Sequence, residues 1–343
     1  MTEEKQVDVV VIGGGAAGLS AALTLARARR SVVVLDAREP RNAPAAGVHG
    51  WLTRDGIAPT ALLTIGAREV EQYGGRIRYG RAATAERTPD GFVVDTDRGE
   101  RLHGRRLLVA TGLVDELPPI DGLRERWGRD VVHCPYCHGW EIRDRPIGVL
   151  GSVHHALLFR QWSARVTLLR HTSPAPAAEQ AERLAARGIA VVDGAVRALE
   201  VVDDRLSGAR LESGRVVPIA ALALPPRLVA HDGLLIGLGV ETAEHPSGSG
   251  THVVADAGGR TSVPGVWVAG NVTDILAGVV QSAAGGVTAA AALNADLIEE
   301  DTRLAVRRWR TAGFAADVER ANSERVLGAR RHGLDSLLPT PPS

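Results

Sequence analysis

The strongest constraint on this chain lies in its first 36 residues. VDVVVI (7–12) is a short apolar, β-rich run, as expected of a strand buried on both faces of a parallel sheet. GGGAAG follows at once, with Gly13, Gly15 and Gly18 at Gly-x-Gly-x-x-Gly spacing. LSAALTLARARR then reads as a helix, and SVVVLD as a second strand ending in Asp36. Strand, glycine turn, helix, strand and an acid about 20 residues on form the dinucleotide-binding unit. Gly13 permits the tight turn, Gly15 lets backbone approach a pyrophosphate, and Gly18 lets the helix pack closely on the sheet. The free N–H groups at the helix start, around Ala16 and Ala17, face the phosphates. Asp36, followed by Ala37, accepts hydrogen bonds from a ribose.

A chain of 343 residues exceeds what one core usually supports, so two domains are expected. The formal net charge is zero, from 40 basic and 40 acidic side chains, which argues against a nucleic-acid-binding surface. No apolar run reaches the roughly 20 residues of a membrane span. The polar start MTEEKQ is not a secretory signal, so a cytoplasmic location is expected.

The only two cysteines, Cys134 and Cys137, stand in HCPYCHGWE (133–141). In a reducing compartment a close pair is redox-active or metal-binding rather than a structural staple. His133 and His138 flank it too closely for the usual two-Cys, two-His zinc spacing, so no metal is expected. A Cys-x-x-Cys entering a helix lowers the pKa of at least one thiol and closes a disulfide readily.

Two later segments complete the pattern. LLVATG (107–112) is a strand ending in a turn at Thr111 and Gly112. VPGVWVAGNVTD (263–274) is another strand, ending at Gly270 and Asn271. Across about residues 7–297, these markers, with the Cys pair between the second and third, resemble the low-molecular-weight thioredoxin reductase family of FAD flavoproteins. The resemblance implies an α/β fold of two Rossmann-like, three-layer ββα domains. The FAD domain is expected to be discontinuous, over 1–118 and 246–300. The NADPH-binding-like domain, 119–245, is inserted and carries the Cys pair. Residues 301–343 form a helical extension and a disordered PTPPS tail. By the same resemblance, FAD is held by Gly13, Gly15, Ala16, Ala17, Gly18, Asp36, Ala37, Thr111, Gly112, Gly270 and Asn271. Asn271 replaces the family's usual Asp. A helix over 278–297 would aim its N-terminus at the flavin. Where the family carries Gln near its start, this chain has Gly278, with Gln281 as a possible substitute. A homodimer is the family habit.

The second nucleotide fingerprint departs from the family. After the strand RPIGVLG (145–151) comes Ser152, Val153, His154, His155, Ala156, so Val153 stands where the second glycine belongs. The family's His-Arg-Arg cluster for the 2′-phosphate of NADP is reduced to Arg170 and His171, shifted in register. Either the site binds NADPH weakly or it no longer takes electrons from NADPH.

By the family pattern, Cys134 is the outer sulfur that meets substrate and Cys137 faces the flavin. The family's Asp after the second Cys is here His138, which can take a thiol proton near neutral pH. Glu141 either orients it or is a solvated acid. Trp51, Tyr136 and Trp140 either line an apolar substrate pocket or serve as core. CPYCHG followed by an aromatic and Glu resembles the branch of FAD-dependent dithiol oxidases that close disulfides in holomycin-type and gliotoxin-type natural products. The implied activity is oxidation of a small-molecule dithiol through the Cys134–Cys137 pair and FAD, with O2 reduced to H2O2. An NADPH-dependent thioredoxin-disulfide reductase is the rival reading.

Overall fold

A computed structural model describes residues 6–312 and 316–327. The MTEE start and the PTPPS tail lie outside the described residues. The first sheet is built on β1 (Val7–Ile12), β2 (Val32–Asp36) and β3 (Arg76–Tyr79), which run parallel in the order β3-β2-β1. A hairpin, β4 (Ala82–Thr88) and β5 (Gly91–Thr96), leads into the long strand β6 (Arg101–Val109). β6 divides its work. On one edge it runs parallel to β1, pairing Val7 with Gly104 and Ile12 with Val109. On the other, its first half pairs antiparallel with β5, while Leu107–Val109 take the late strand Val266–Val268 in parallel. The glycine turn after β1, the Thr111 turn after β6 and the Gly270 turn after Val268 therefore open at one end of one sheet. This is the end where open α/β sheets bind their ligands.

β1 and β2 form this sheet's interior because they are almost wholly apolar and are covered on both faces. Val9, Val10, Val11 and Val34 are fully buried. α1 (Ala16–Arg27) buries Ala17, Leu19, Ala21, Ala22, Leu25 and Ala26. These small and aliphatic residues recur at helical spacing and let the helix lie close to the strands.

A second, five-stranded parallel sheet runs in the order 190–192, 166–169, 147–150, 221–223, 131–132. A three-stranded antiparallel sheet, 196–202, 205–211 and 216–218, accompanies it, and Ile120, Leu150, Leu169, Leu211 and Leu222 share one core cluster. The chain leaves the first sheet through Leu113–Glu116 and returns through Arg227–Ala230. These two strands pair antiparallel, Leu113 with Ala230 and Glu116 with Arg227. The two crossings thus brace each other, and the returning hairpin Thr242–Glu244 and Gly250–Val253 extends the same sheet.

Compact packing groups Met1–Ala292 as one unit and Leu293–Ser343 as another. The helix expected over 278–297 starts at Val279 and runs unbroken to Ala312, so the boundary expected at 300 falls inside a helix. No glycine or proline interrupts residues 293–312, and nothing local ends the helix there. A further helix covers Ala316–Leu327.

One ion cluster, with Arg126 and Asp130 buried and Asp204 exposed, pins the inserted region. Arg126 Nε donates to Asp130 Oδ1 at 2.8 Å, and its Nη1 donates to Asp204 Oδ1 at 2.6 Å. Asp130 Oδ2 in turn accepts from the Leu206 amide at 3.0 Å. Removing one member of such a cluster leaves a desolvated charge uncompensated. Arg126→Ala is therefore expected to cost about 3–5 kcal/mol in a denaturant unfolding titration; a loss below about 1 kcal/mol would show the cluster to be dispensable.

Candidate functional site

The first turn is shaped by backbone proximity. Gly13 has φ of +107°, a conformation that residues with a Cβ rarely adopt, and its amide donates to the Leu35 carbonyl at 2.8 Å. A Cβ at Gly13 would collide with the Ala110 carbonyl, and one at Gly18 with the carbonyl of Gly13. Gly15 differs, since a Cβ there would meet nothing within 4 Å. It borders open space, and it is the N-cap of α1. No side chain caps that helix start, and its first turn holds no acid. The α1 amides are thus left for an external anion. Asp36, half-buried at the end of β2, lies against Gly14: a Cβ on Gly14 would stand 2.7 Å from Asp36 Oδ2. Its Oδ1 accepts from the Arg38 amide at 3.0 Å. Ala37 is likewise half-buried beside it.

Thr111 and Gly112 form the second wall. Thr111 Oγ1 donates to the His231 carbonyl at 2.7 Å, and the His231 amide donates to Gly112 O at 3.0 Å. The turn is thereby tied to the returning crossover strand. The third wall is Gly270, where a Cβ would sit 2.7 Å from the Ala17 Cβ. Asn271 turns its amide nitrogen to the carbonyls of Asp274 (3.0 Å) and Ala277 (2.8 Å), holding the loop that leads into the last long helix. Gln281, near the start of that helix, is solvent-exposed. Behind Gly270, a cavity of about 150 Å³ is lined by Asp256, Asp274, Gln281, Ser282 and Thr288 among others.

Cys134 and Cys137 are joined as a disulfide, with Cα atoms 5.2 Å apart. Cys134 caps the one-turn helix Pro135–His138, which follows the edge strand Val131–Val132, and its Sγ accepts from the Cys137 amide at 3.2 Å. His138 ends this helix. Both its ring nitrogens are closed off from solvent and find no hydrogen-bond partner among the described residues. Burial pushes the imidazole below the usual histidine pKa, with Glu141 opposing the shift and His49 reinforcing it. Burial thus favours the uncharged ring at the end of the short helix that carries Cys137. His133 is driven further, to about 4, by burial first and then by His155 and Arg41. The aromatics separate. Tyr136 and Trp140 are 74% and 66% exposed on the Cys segment, while Trp51 is half-buried in another loop. Tyr136 meets Trp162 edge-on at 5.5 Å, and the Arg143 guanidinium stacks 4.0 Å from the Trp140 ring centre.

Residues 7–292 match the family model described as pyridine nucleotide-disulphide oxidoreductase. The chain belongs to this family. A thioredoxin reductase, tcpT, of Claviceps purpurea is 31% identical over 316 residues, spanning 88% of this chain and 97% of the relative. Thioredoxin reductase sirT of Leptosphaeria maculans is 29% identical over 86% of this chain and 95% of its own length. Among solved structures, HlmI aligns with TM-score 0.84 at 48% identity, covering 91% of this chain and 98% of that one. An oxidoreductase from Agrobacterium tumefaciens aligns at 0.80 with 36% identity, covering 86% of this chain and 99% of that one. The protein is a flavin-dependent thiol/disulfide oxidoreductase with the two-domain dinucleotide-binding fold of the thioredoxin reductases.

The first nucleotide site fits FAD. The uncapped α1 start and the open space at Gly15 suit a pyrophosphate. Asp36 stands where a ribose acceptor belongs.

The second nucleotide region is built differently. Its helix Val153–Phe159 is capped from within, because Ser152 Oγ accepts from the His155 amide at 3.2 Å. Val153 is the first residue of that helix. Ser173 Oγ donates to the Gly151 carbonyl at 3.0 Å, closing the turn on itself. Arg170 is committed to Asp193 and to the Ser173 carbonyl. His171 Nδ1 accepts from the Val196 amide at 3.0 Å. The two side chains nearest to a phosphate clamp are both engaged within the protein.

Glu141 is solvent-exposed and makes no hydrogen bond to His138; its carboxylate also faces His49 Nε2 at 3.4 Å. His49, Asp55, Ser173 and Asp193 escaped the sequence reading because none has a spacing that ties it to its partner. Among the described residues no group of three or more His, Cys, Asp or Glu could hold a metal, and no helix is long and apolar enough to cross a membrane.

The contrast between glycines yields a test. Gly15→Ala is expected to cost the apoprotein at most about 1 kcal/mol, because the added methyl meets open space. It should weaken FAD retention measurably by equilibrium dialysis. Gly18→Ala is expected to lower the apoprotein Tm as well, since its methyl overlaps the Gly13 carbonyl. Equal effects of the two on apoprotein stability would contradict this division of roles.

Proposed function

We propose that the protein is a dithiol oxidase: it closes an intramolecular disulfide in a small sulfur-containing metabolite through Cys134 and Cys137, and O2 is the final electron acceptor. The observation that carries the reading is the pairing of a buried, unpartnered His138, at the end of the short helix that carries Cys137, with a second nucleotide region whose clamp residues are turned inward. A base is what thiol oxidation requires, because each substrate thiol must lose a proton to attack a disulfide. Electrons from NADPH would instead need a phosphate-binding turn and a free cationic clamp.

The chemistry balances as follows. One substrate thiol gives its proton to His138 and attacks Cys134. The Cys134–Cys137 bond breaks, and Cys137 leaves as a thiolate. His138 passes that proton to the Cys137 thiolate, and the second substrate thiol, giving its proton to His138, attacks the substrate sulfur of the mixed disulfide and expels Cys134 as a thiolate. The substrate leaves as a cyclic disulfide, and the protein holds two reduced sulfurs. FAD, when bound, would supply the two-electron acceptor through which this pair re-forms its disulfide, with O2 taking up the electrons and two protons as H2O2. Exposed Tyr136 and Trp140 offer apolar surface for a compact substrate at the Cys134 side. The similarity to HlmI and to sirT and tcpT is in keeping with this reading.

An anaerobic stopped-flow trace tests it. A small dithiol is expected to bleach the flavin, and air to restore it with stoichiometric H2O2. Rapid bleaching by NADPH would instead make the protein a reductase. Cys137→Ser is expected to keep FAD yet slow thiol-to-flavin electron transfer about a hundredfold or more. Because the His138 pKa lies below the usual histidine value, the base form prevails at neutral pH. The thiol half-reaction should hold its rate as pH falls to the ordinary histidine range and decline only below it. His138→Ala should slow that half-reaction by about a hundredfold and remove this acid limb.

A further inference from the structure

Glu141 and His49 come from distant parts of the chain. His49 sits in a loop closed by the bridge between Val48 and Ile57, and the Gly56 amide donates to the Val48 carbonyl at 2.8 Å. Asp55 stiffens this loop. Its Oδ1 accepts from the Gly50 amide at 2.9 Å, and its Oδ2 lies 3.4 Å from His49 Nδ1. The opposite ring nitrogen, Nε2, lies 3.4 Å from Glu141 Oε1. A carboxylate thus stands at each nitrogen of one imidazole. His49 therefore links the Glu141 carboxylate to the loop that Asp55 holds. A nearby contact fixes the loop independently: a Cβ at Gly128 would lie 2.9 Å from the Pro44 Cβ, so this stretch packs on the inserted region at a second point.

We propose that His49 is a positioning residue for the thiol chemistry: by pairing with Glu141 at 3.4 Å it holds that carboxylate toward its own loop rather than toward the His138 ring on the same segment as the Cys pair. The proposal rests on the reading of His138 as the base. An imidazole without a partner, shut off from water, is governed by whatever charge is near it. Glu141 alone would favour the imidazolium, which cannot take a thiol proton. His49 opposes it, and the directions of the two influences on His138 are opposite. Among the described residues, two cationic side chains of these segments are engaged elsewhere: Arg143 is stacked on Trp140, and Arg54 turns to the Thr53 carbonyl. Asp55 lies behind His49 and holds its other nitrogen.

The test combines two readouts on the FAD-loaded protein from about pH 5 to pH 8. One is the rate of anaerobic flavin reduction by dithiothreitol. The other is the titration of the His138 ring by NMR with ¹³C-labelled histidine, assigned with His138→Gln. His49→Gln is expected to raise both midpoints by about half a pH unit, which is about a threefold loss of rate on the acid limb. Glu141→Gln should lower both, and the double variant should return toward the parent. Unchanged midpoints in His49→Gln, or shifts of the same sign in the two single variants, would overturn the proposal. Should His49→Gln unfold, as a thermal melt would reveal, an upward shift or no shift in Glu141→Gln alone is enough to reject it. If dithiothreitol fails to reduce the parent flavin, the oxidase reading falls, while the NMR midpoints still decide the role of His49.

Discussion

Everything at the flavin site depends on how closely backbone can approach backbone at the start of α1. The Gly13 carbonyl fits only because Gly18 has no side chain, and the Ala110 carbonyl fits only because Gly13 has none. Ala17 lies against Gly270 on the late turn, and its carbonyl against Gly286 on the last long helix. Four stretches of chain, at residues 13–18, 110, 270 and 286, meet here through atoms that any larger side chain would displace. Gly15 opens away from this floor. An anion-binding helix start is thereby presented without a competing internal cap.

The second nucleotide fold shows what happens when the same architecture turns its polar groups inward. Ser152 caps its own helix, Ser173 closes on Gly151, and Arg170 pairs with Asp193. The parallel sheet survives, because its strength comes from buried apolar strands such as Ile147–Leu150 and Ala221–Ala223. A fold of this kind keeps its core after its ligand groups have been reassigned, since core and site draw on different residues. It carries the edge strand from which the Cys-pair helix springs, and the paired strands Leu113–Glu116 and Arg227–Ala230 tie it to the flavin half.

Around the disulfide the electrostatics are set by burial more than by neighbours. His133, His138 and His155 all lie below the ordinary histidine value, with desolvation the leading cause for each. Burial thus favours the uncharged form of each of these three rings. His49 lies between two carboxylates, Asp55 and Glu141.

The sequence by itself determined the strands, the glycine turns and the redox pair, because these depend on local spacing. Apolar runs of four to six residues can only be buried strands here, and Gly-x-Gly-x-x-Gly between strand and helix admits one geometry. The replacement of the second glycine by Val153 was also legible, as was His138 beside the cysteines. Side-chain partners were not, because contact between distant segments leaves no spacing to read. Glu141 was expected to serve His138 or solvent; it is exposed, and it also meets His49 from another loop. Arg170 read as a remnant of a phosphate clamp, and Asp193 has taken it. A helix over 278–297 and a helical extension from 301 were expected as separate pieces, but residues 293–312 carry no stop signal and one helix runs through both, from Val279 to Ala312. Only the tertiary structure decided which charges share a site, since that depends on how the crossing strands bring the Cys segment to the loop around His49.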